Sequence, residues 1–214
     1  MKQRRFLLLM ALPIILIILA GCESGGKFQV INRTSYPVYV SLDGGSEAVI
    51  PAAQERVFEV DTDSESFLTG KVEQKVKAKI IGETYHILDD VNDIWVDETE
   101  VKIRAGKTLS AYIDPNRASI KIKNNSSQQI LTADIFKHNY VTSYKIATLS
   151  NIESGESRFL RVDYVTLNNS GQYVNPFYYV VQIRMLDETT AQYNNMTEPP
   201  LVDTQFLVEI EDPE

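Results

Sequence analysis

Apolar and polar residues alternate along most of the chain from residue 27 onward, the period of a strand with one face buried. Val38-Tyr39-Val40-Ser41-Leu42 shows the pattern most cleanly and runs into Asp43-Gly44-Gly45, a hairpin-turn sequence. The same alternation predicts strands at residues 57–60, 76–80, 101–103 and 109–113. It recurs at 120–122, 130–135, 144–148, 159–164, 177–185 and 206–210. Val, Ile, Thr and Tyr fill these runs, as a pleated half-buried surface favours. One run is ambiguous: Val72, Val76 and Ile80 stand at helical spacing, while Val76, Ala78 and Ile80 alternate. Its counterpart at 177–183 is strand-like, so a strand is expected at 76–80, with room for a short helical turn before it.

The pattern occurs twice. Phe28, Val30, Asn32, Thr34 and Val38 lie over Ile120, Ile122, Asn124, Ser126 and Ile130 at a spacing of 92. Ile50, Arg56, Val60 and Asp61 lie over Ile152, Arg158, Val162 and Asp163 at a spacing of 102. The ten extra residues fall between about residues 134 and 150. Asp114-Pro115 against Asp212-Pro213 closes the unit, which divides the chain into repeats at 27–117 and 118–214. Units of ~90–100 residues suit a sandwich of immunoglobulin size. The expected fold is all-β: two tandem antiparallel, immunoglobulin-like β-sandwiches after an N-terminal signal helix. A transthyretin-like or other small sandwich topology would give the same pattern. Asn116-Arg117-Ala118 carries no Gly/Ser-rich linker, which predicts a stiff junction.

The start of the chain is different in kind. Lys2, Arg4 and Arg5 precede a 15-residue apolar run, 6–20, broken by Pro13. That is short of the ~20 residues of a membrane-spanning helix and fits the core of a signal peptide. The run ends in Leu19-Ala20-Gly21-Cys22, which resembles the lipobox of bacterial lipoprotein precursors. The resemblance covers residues 1–22. It implies removal of a signal peptide at 1–21 and a thioether-linked diacylglycerol, with an acylated amine, on Cys22. Residues 22–26 then form a short tether. Several acyl chains, each CH₂ contributing ~0.8 kcal/mol, hold a domain to a bilayer stably.

Composition narrows the function classes. Among 214 residues, 21 Lys and Arg face 29 Asp and Glu, a net charge of −8. Removing Lys2, Arg4 and Arg5 with the leader leaves 18 basic residues against 29 acidic ones, or −11. Such a domain is repelled by anionic lipid and by nucleic acid, which needs a basic face. The one Cys allows no intramolecular disulfide framework and no multi-cysteine metal site.

Four groups of residues are candidates for chemistry. The run at 81–100 holds Glu83, Asp89, Asp90, Asp93, Asp97, Glu98 and Glu100, with no Lys or Arg. Close oxygen ligands suit Ca²⁺, which makes Asp89, Asp90 and Asp93 a candidate calcium group. Yet Asp90-Val91-Asn92-Asp93-Ile94-Trp95 places Ile where a third ligand belongs and no Gly follows. A solvated acidic loop is the plainer reading. Trp95 is either a stacking platform for a sugar or an anchor pinning a long loop to its sandwich. In a strand, Phe177 and Tyr179 face one way and Tyr178 the other, which leaves Tyr178 for a protein or glycan contact. The repeated Asn32/Asn124 suit turns closed by side-chain hydrogen bonds, and the repeated Arg56/Arg158 suit cross-strand pairing with a carboxylate. His86 and His138 are 52 positions apart, and no metalloprotease, serine-hydrolase or phosphate-loop motif occurs.

The chain is therefore expected to be a membrane-anchored envelope lipoprotein and not an enzyme. Its expected role is a binding or structural module with a protein partner in a cell-envelope assembly. The covalent lipid on Cys22 is the only expected prosthetic group, with Ca²⁺ the further option. The alternative is a glycan-binding surface module, Ca²⁺-dependent or not, acting through Trp95 or Tyr178. Its expected place is the exported side of a bacterial membrane. Glu23, where Asp accompanies inner-membrane retention in some bacteria, favours the outer membrane if the source has two.

Overall fold

Strand alternation becomes two stacked pairs of sheets in the computed structural model, which describes residues 25–62, 73–139 and 141–212. The expected signal helix and Cys22 lie outside the described residues. The first sandwich is built from β1 (Gly25–Asn32), β2 (Val38–Leu42), β3 (Ala48–Ile50), β4 (Glu55–Asp61) and β5 (Glu73–Gly82). A small hairpin, β6 (Ile87–Asp89) and β7 (Ile94–Val96), precedes β8 (Glu98–Arg104) and β9 (Thr108–Ile113). The second sandwich holds β10 (Ala118–Asn124), β11 (Ile130–His138), β12 (Ser143–Ile152) and β13 (Ser157–Val162). A hairpin of β14 (Thr166–Leu167) and β15 (Tyr173–Val174) leads to β16 (Tyr178–Met185), β17 (Thr190–Asn194) and β18 (Gln205–Ile210).

The two sandwiches share one strand order. The sheets run β4-β1-β9 and β3-β2-β5-β8 in the first, and β13-β10-β18 and β12-β11-β16-β17 in the second. Among the described residues all strand pairs are antiparallel except β1 with β9 and β10 with β18. Lettered A to G, the main strands form D-A-G and C-B-E-F, where an immunoglobulin constant domain pairs A-B-E-D and C-F-G. The architecture is thus the expected tandem sandwich, with one parallel pair in each. Period-two alternation cannot distinguish these orders, because it records burial and not the identity of the neighbour.

Each sandwich has its own core. Phe28, Val30, Val38, Val40, Ile50 and Ile103 are fully buried in the first, and Ile120, Ile122, Ile130, Ile135 and Ile152 in the second. The ambiguous run is a strand: Val76, Ala78 and Ile80 point inward while Lys75, Lys77 and Lys79 point out. The ten additional residues lengthen one hairpin. β2 and β3 pair only from Val38↔Ile50 to Val40↔Ala48. Their counterparts pair from Ile130↔Ile152 out to His138↔Ser143, with a bulge between Ile135 and Phe136.

The repeated asparagines tie the same knot twice. Asn32 is buried; its Nδ2 donates to Tyr36 O at 2.8 Å and to Ile50 O and Pro51 O at 3.0 Å. Its Oδ1 accepts from Thr34 N and Oγ1, both at 2.9 Å. Asn124 donates to Gln128 O at 2.7 Å and Ile152 O at 3.0 Å, and accepts from Ser126 N and Oγ. Each Asn holds the turn after the first strand against the end of the third, where backbone groups would otherwise be buried unpaired. The repeated arginines behave otherwise than expected. Arg158 donates to Ser150 O and Asn151 O, and among the described residues it pairs with Glu156, in the turn just before its own strand, at 3.7 Å. Arg56 lies over the Phe58 ring at 5.6 Å. Cross-strand, Arg56 faces Val30 and Arg158 faces Ile122, so the strand register offers no acid to either.

The first strand also starts earlier than the pattern suggests. Gly25 and Gly26, read as tether, pair with Asp61 and Val60. A Cβ on Gly26 would stand 2.6 Å from Arg104 O, so only glycine fits between this strand and β8.

Candidate functional site

The acidic run at 81–100 is not one loop. Glu98 and Glu100 sit on β8 and pair with Lys77 at 3.6 Å and Lys75 at 2.8 Å on β5. Asp89 closes a turn: its carboxylate accepts from Val91 N at 3.0 Å, Asn92 N at 3.3 Å and Asn92 Nδ2 at 2.7 Å. These bonds hold the Asp89 carboxyl below its ordinary range. Asp93 lies in the same turn with φ 53°, a conformation Asp tolerates better than most residues. Among the described residues no three His, Cys, Asp or Glu side chains assemble as a metal-holding group.

Glu83 and Asp97, from the same run, point instead at the second sandwich. Glu83 follows β5 and is fully buried. Lys121 on β10 meets its Oε1 at 2.8 Å, Gln205 Nε2 donates to Oε2 at 2.5 Å, and Tyr39 Oη donates to Oε1 at 3.3 Å. Burial, followed by the charge of Glu83, pushes the Tyr39 hydroxyl up to about 12. Tyr39 also stacks on Phe159 of β13 at 6.3 Å. Asp97 pairs with Arg161 at 2.7 Å, and Arg161 also reaches Tyr85 O at 3.4 Å. Asp203 completes the contact: it accepts from Ser35 N at 3.0 Å, Ser35 Oγ at 2.8 Å and Thr84 Oγ1 at 2.6 Å. The junction at Asn116-Arg117-Ala118 is tied by backbone bonds to the first sandwich. Asn116 N and Arg117 N both donate to Thr84 O, at 3.1 and 3.0 Å.

Trp95 stands on β7 at this joint and not over its own core. The residue is 41% exposed, with the Arg117 guanidinium 3.9 Å from the ring centroid and the His86 ring at 5.5 Å. It is a cation–π partner of Arg117 at the junction between the repeats, a contact worth ~0.5–2 kcal/mol. Burial lowers the His86 pKa, Arg161 lowers it further, and Asp97 opposes them. A cavity of about 470 Å³ opens beside these groups, lined by Trp95, Asp97, Arg117, Arg161, Phe159 and Asp163. Asp163 bridges Arg117 and Lys137, each at 2.9 Å, and the Lys137 bond holds its carboxyl below the usual range.

Tyr178 opens β16 on the outward face, as its alternation with the buried Tyr179 requires. Its ring stacks on His138 at 5.2 Å, and His138 Nε2 lies 2.9 Å from Ser143 Oγ. Phe177 packs edge-on against Tyr179 at 5.7 Å, on the inner face.

No protein-family model and no curated protein matches the chain. Among solved structures it is similar to the tip fimbrial protein Mfa3 from Porphyromonas gingivalis, with C-terminal truncation. That likeness has 6% identity and a TM-score of 0.33 over 89% of this chain and 96% of that one. It is similar to the Bacillus anthracis TIE protein at 9% identity and a TM-score of 0.28. There it covers 88% of this chain and only 33% of that one, so the chain spans about a third of the TIE chain. The major pilin from Streptococcus pyogenes matches at 9% identity and a TM-score of 0.20, over 88% of this chain and 99% of that one. The strand pairing above, and not these likenesses, establishes the fold.

Proposed function

We propose that this chain is a lipid-anchored, non-enzymatic module of a bacterial envelope. It is held through Cys22 and presents two joined sandwiches to a protein partner in an envelope assembly. The observation that carries the reading is the position of β1. This central strand of its sheet begins at Gly25, three positions after the cysteine of Leu19-Ala20-Gly21-Cys22. Two intervening residues span at most ~7 Å, so a lipid on Cys22 sets the first sandwich directly on its membrane. The joint then positions the second sandwich relative to the first. Residues 1–21 are the leader in this reading, and 27–117 and 118–214 are the repeats. The outer membrane is the site where the source has two membranes.

The test is metabolic labelling with a palmitate analogue. The chain carries the label and fractionates with membranes, and Cys22→Ala abolishes both. A Cys22→Ala protein that is still labelled refutes the anchor.

A further inference from the structure

The two repeats differ on one equivalent surface, the outer face of the four-stranded sheet. In the first sandwich that face is a ladder of charges, with Lys77 opposite Glu100 and Lys79 opposite Glu98. In the second, strand register builds four rows. Thr132, Arg184 and Thr190 stand side by side, then Thr148, Asp134, Gln182 and Gln192. Phe136 beside Val180, itself buried, follows, and the half-buried His138 and Tyr178 end the series. The first two rows line a trough of about 740 Å³, within the size range of small-ligand sites.

The chemistry of the trough selects its occupant. Its charges cancel locally: Asp134 accepts from Lys145 at 3.2 Å and Thr148 at 2.5 Å, and Arg184 lies 3.7 Å from Glu188. Most remaining groups are hydroxyls and primary amides, which both donate and accept hydrogen bonds. Gln182 and Gln192 already align, Nε2 to Oε1, at 3.3 Å. Past Val180 the surface turns aromatic, with Phe136 edge-on to His138 at 6.5 Å and His138 stacked on Tyr178. An occupant must be uncharged, dense in groups that donate and accept together, and apolar on one ring face. From first row to last is six residues, ~20 Å, the length of about four sugar rings. A polyanion meets a chain of net charge −8, and a protein finds no apolar anchor in the first two rows. The geometry points to this face as a binding site for a neutral oligosaccharide. The inference rests on the reading of the chain as a surface binding module, and it moves the glycan contact away from Trp95.

The experiment is isothermal titration of the full chain in a non-glycosidic detergent. The probes are maltopentaose, cellopentaose, xylopentaose, mannopentaose and, as the charged control, tetragalacturonate. At least one neutral probe binds with a millimolar or tighter dissociation constant. Gln182→Ala with Gln192→Ala weakens it about tenfold, as loss of two modest hydrogen bonds predicts. Tyr178→Ala weakens it too, and Trp95→Ala leaves it unchanged. Matching thermal melts show that the variants fold. Where the double variant melts early, Thr190→Val at the trough rim supplies the same comparison. Four outcomes overturn the site: no neutral probe binds, only tetragalacturonate binds, binding survives the double variant, or binding is lost with Trp95→Ala. Cys22→Ala does not change the titration, so failure of the anchor and failure of this site are read separately.

Discussion

Glu83 and Lys121 meet at 2.8 Å across the joint, with the carboxylate fully buried. A lone buried charge is far more destabilising than a buried pair is stabilising. Lys121→Ala therefore leaves Glu83 with only Gln205 and Tyr39, and lowers stability by about 3 kcal/mol. Glu83→Leu with Lys121→Met removes both charges and recovers most of the loss. Scanning calorimetry of both variants decides: equal melting points for Lys121→Ala and wild type would refute the role given to the pair.

Asn32→Ala and Asn124→Ala test the duplicated knots. Each strips the partners from several buried backbone groups, a loss of about 3 kcal/mol. Hydrogen exchange should rise in the first sandwich for Asn32→Ala and in the second for Asn124→Ala. Equal effects of either change on both sandwiches would contradict separate cores.

The knots and the strands were legible in the sequence because both are local. An Asn two positions before Thr or Ser states its own turn, and alternation states which face is buried. The change of spacing from 92 to 102 located the longer β11–β12 hairpin, since an insertion shifts everything after it. The short strands β3 and β17 are not legible in this way: three and five residues at sheet edges leave little periodicity. The contacts across the joint were barely legible. Glu83 lies 38 positions from Lys121 and 122 from Gln205, and nothing near Glu83 separates it from the solvated acids around it. A weak signal did exist in Lys121, a lysine among alternating isoleucines whose own cross-strand partners are the hydrophobic Phe159 and Leu207.

Asp203→Ala and Asp212→Ala separate two similar contacts. Ser35 is capped by Asp203 from the second sandwich, whereas its counterpart Ser127 is capped by Asp212, which follows β18 of its own sandwich. Losing Asp203 removes bonds to Ser35 and Thr84 and weakens the joint by ~1–2 kcal/mol. Losing Asp212 leaves the joint intact. Limited proteolysis near Asn116 reports the difference, and equal cleavage of the two variants would refute it.

Tyr39 makes the joint sensitive to alkali. Its hydroxyl is pushed up to about 12 from an ordinary value of 10.0, first by burial and then by Glu83. A raised pKa favours the folded state fully below pH 10.0, and that contribution is lost as pH rises toward about 12. Tyr39→Phe removes this slope from a plot of stability against pH. A slope unchanged by Tyr39→Phe would assign the alkaline effect elsewhere.

His86 sets the acid side, and the single tryptophan reports it. Burial and the charges of Arg161 and Arg117 lower the His86 pKa from 6.5, against the pull of Asp97. A depressed pKa means that the unfolded state binds the proton first. The contribution of His86 is therefore complete above pH 6.5 and is lost as pH falls through the lower folded value. Protonation also brings a second cation to the ring of Trp95, already faced by Arg117 at 3.9 Å, and repels that guanidinium. Trp95 fluorescence should consequently titrate with a midpoint below 6.5. His86→Gln flattens the titration, while Lys121→Ala, which loosens the joint and exposes the imidazole, moves the midpoint upward toward 6.5. A midpoint indifferent to Lys121→Ala would mean that His86 is shielded by β6 and β7 alone, with the second sandwich playing no part.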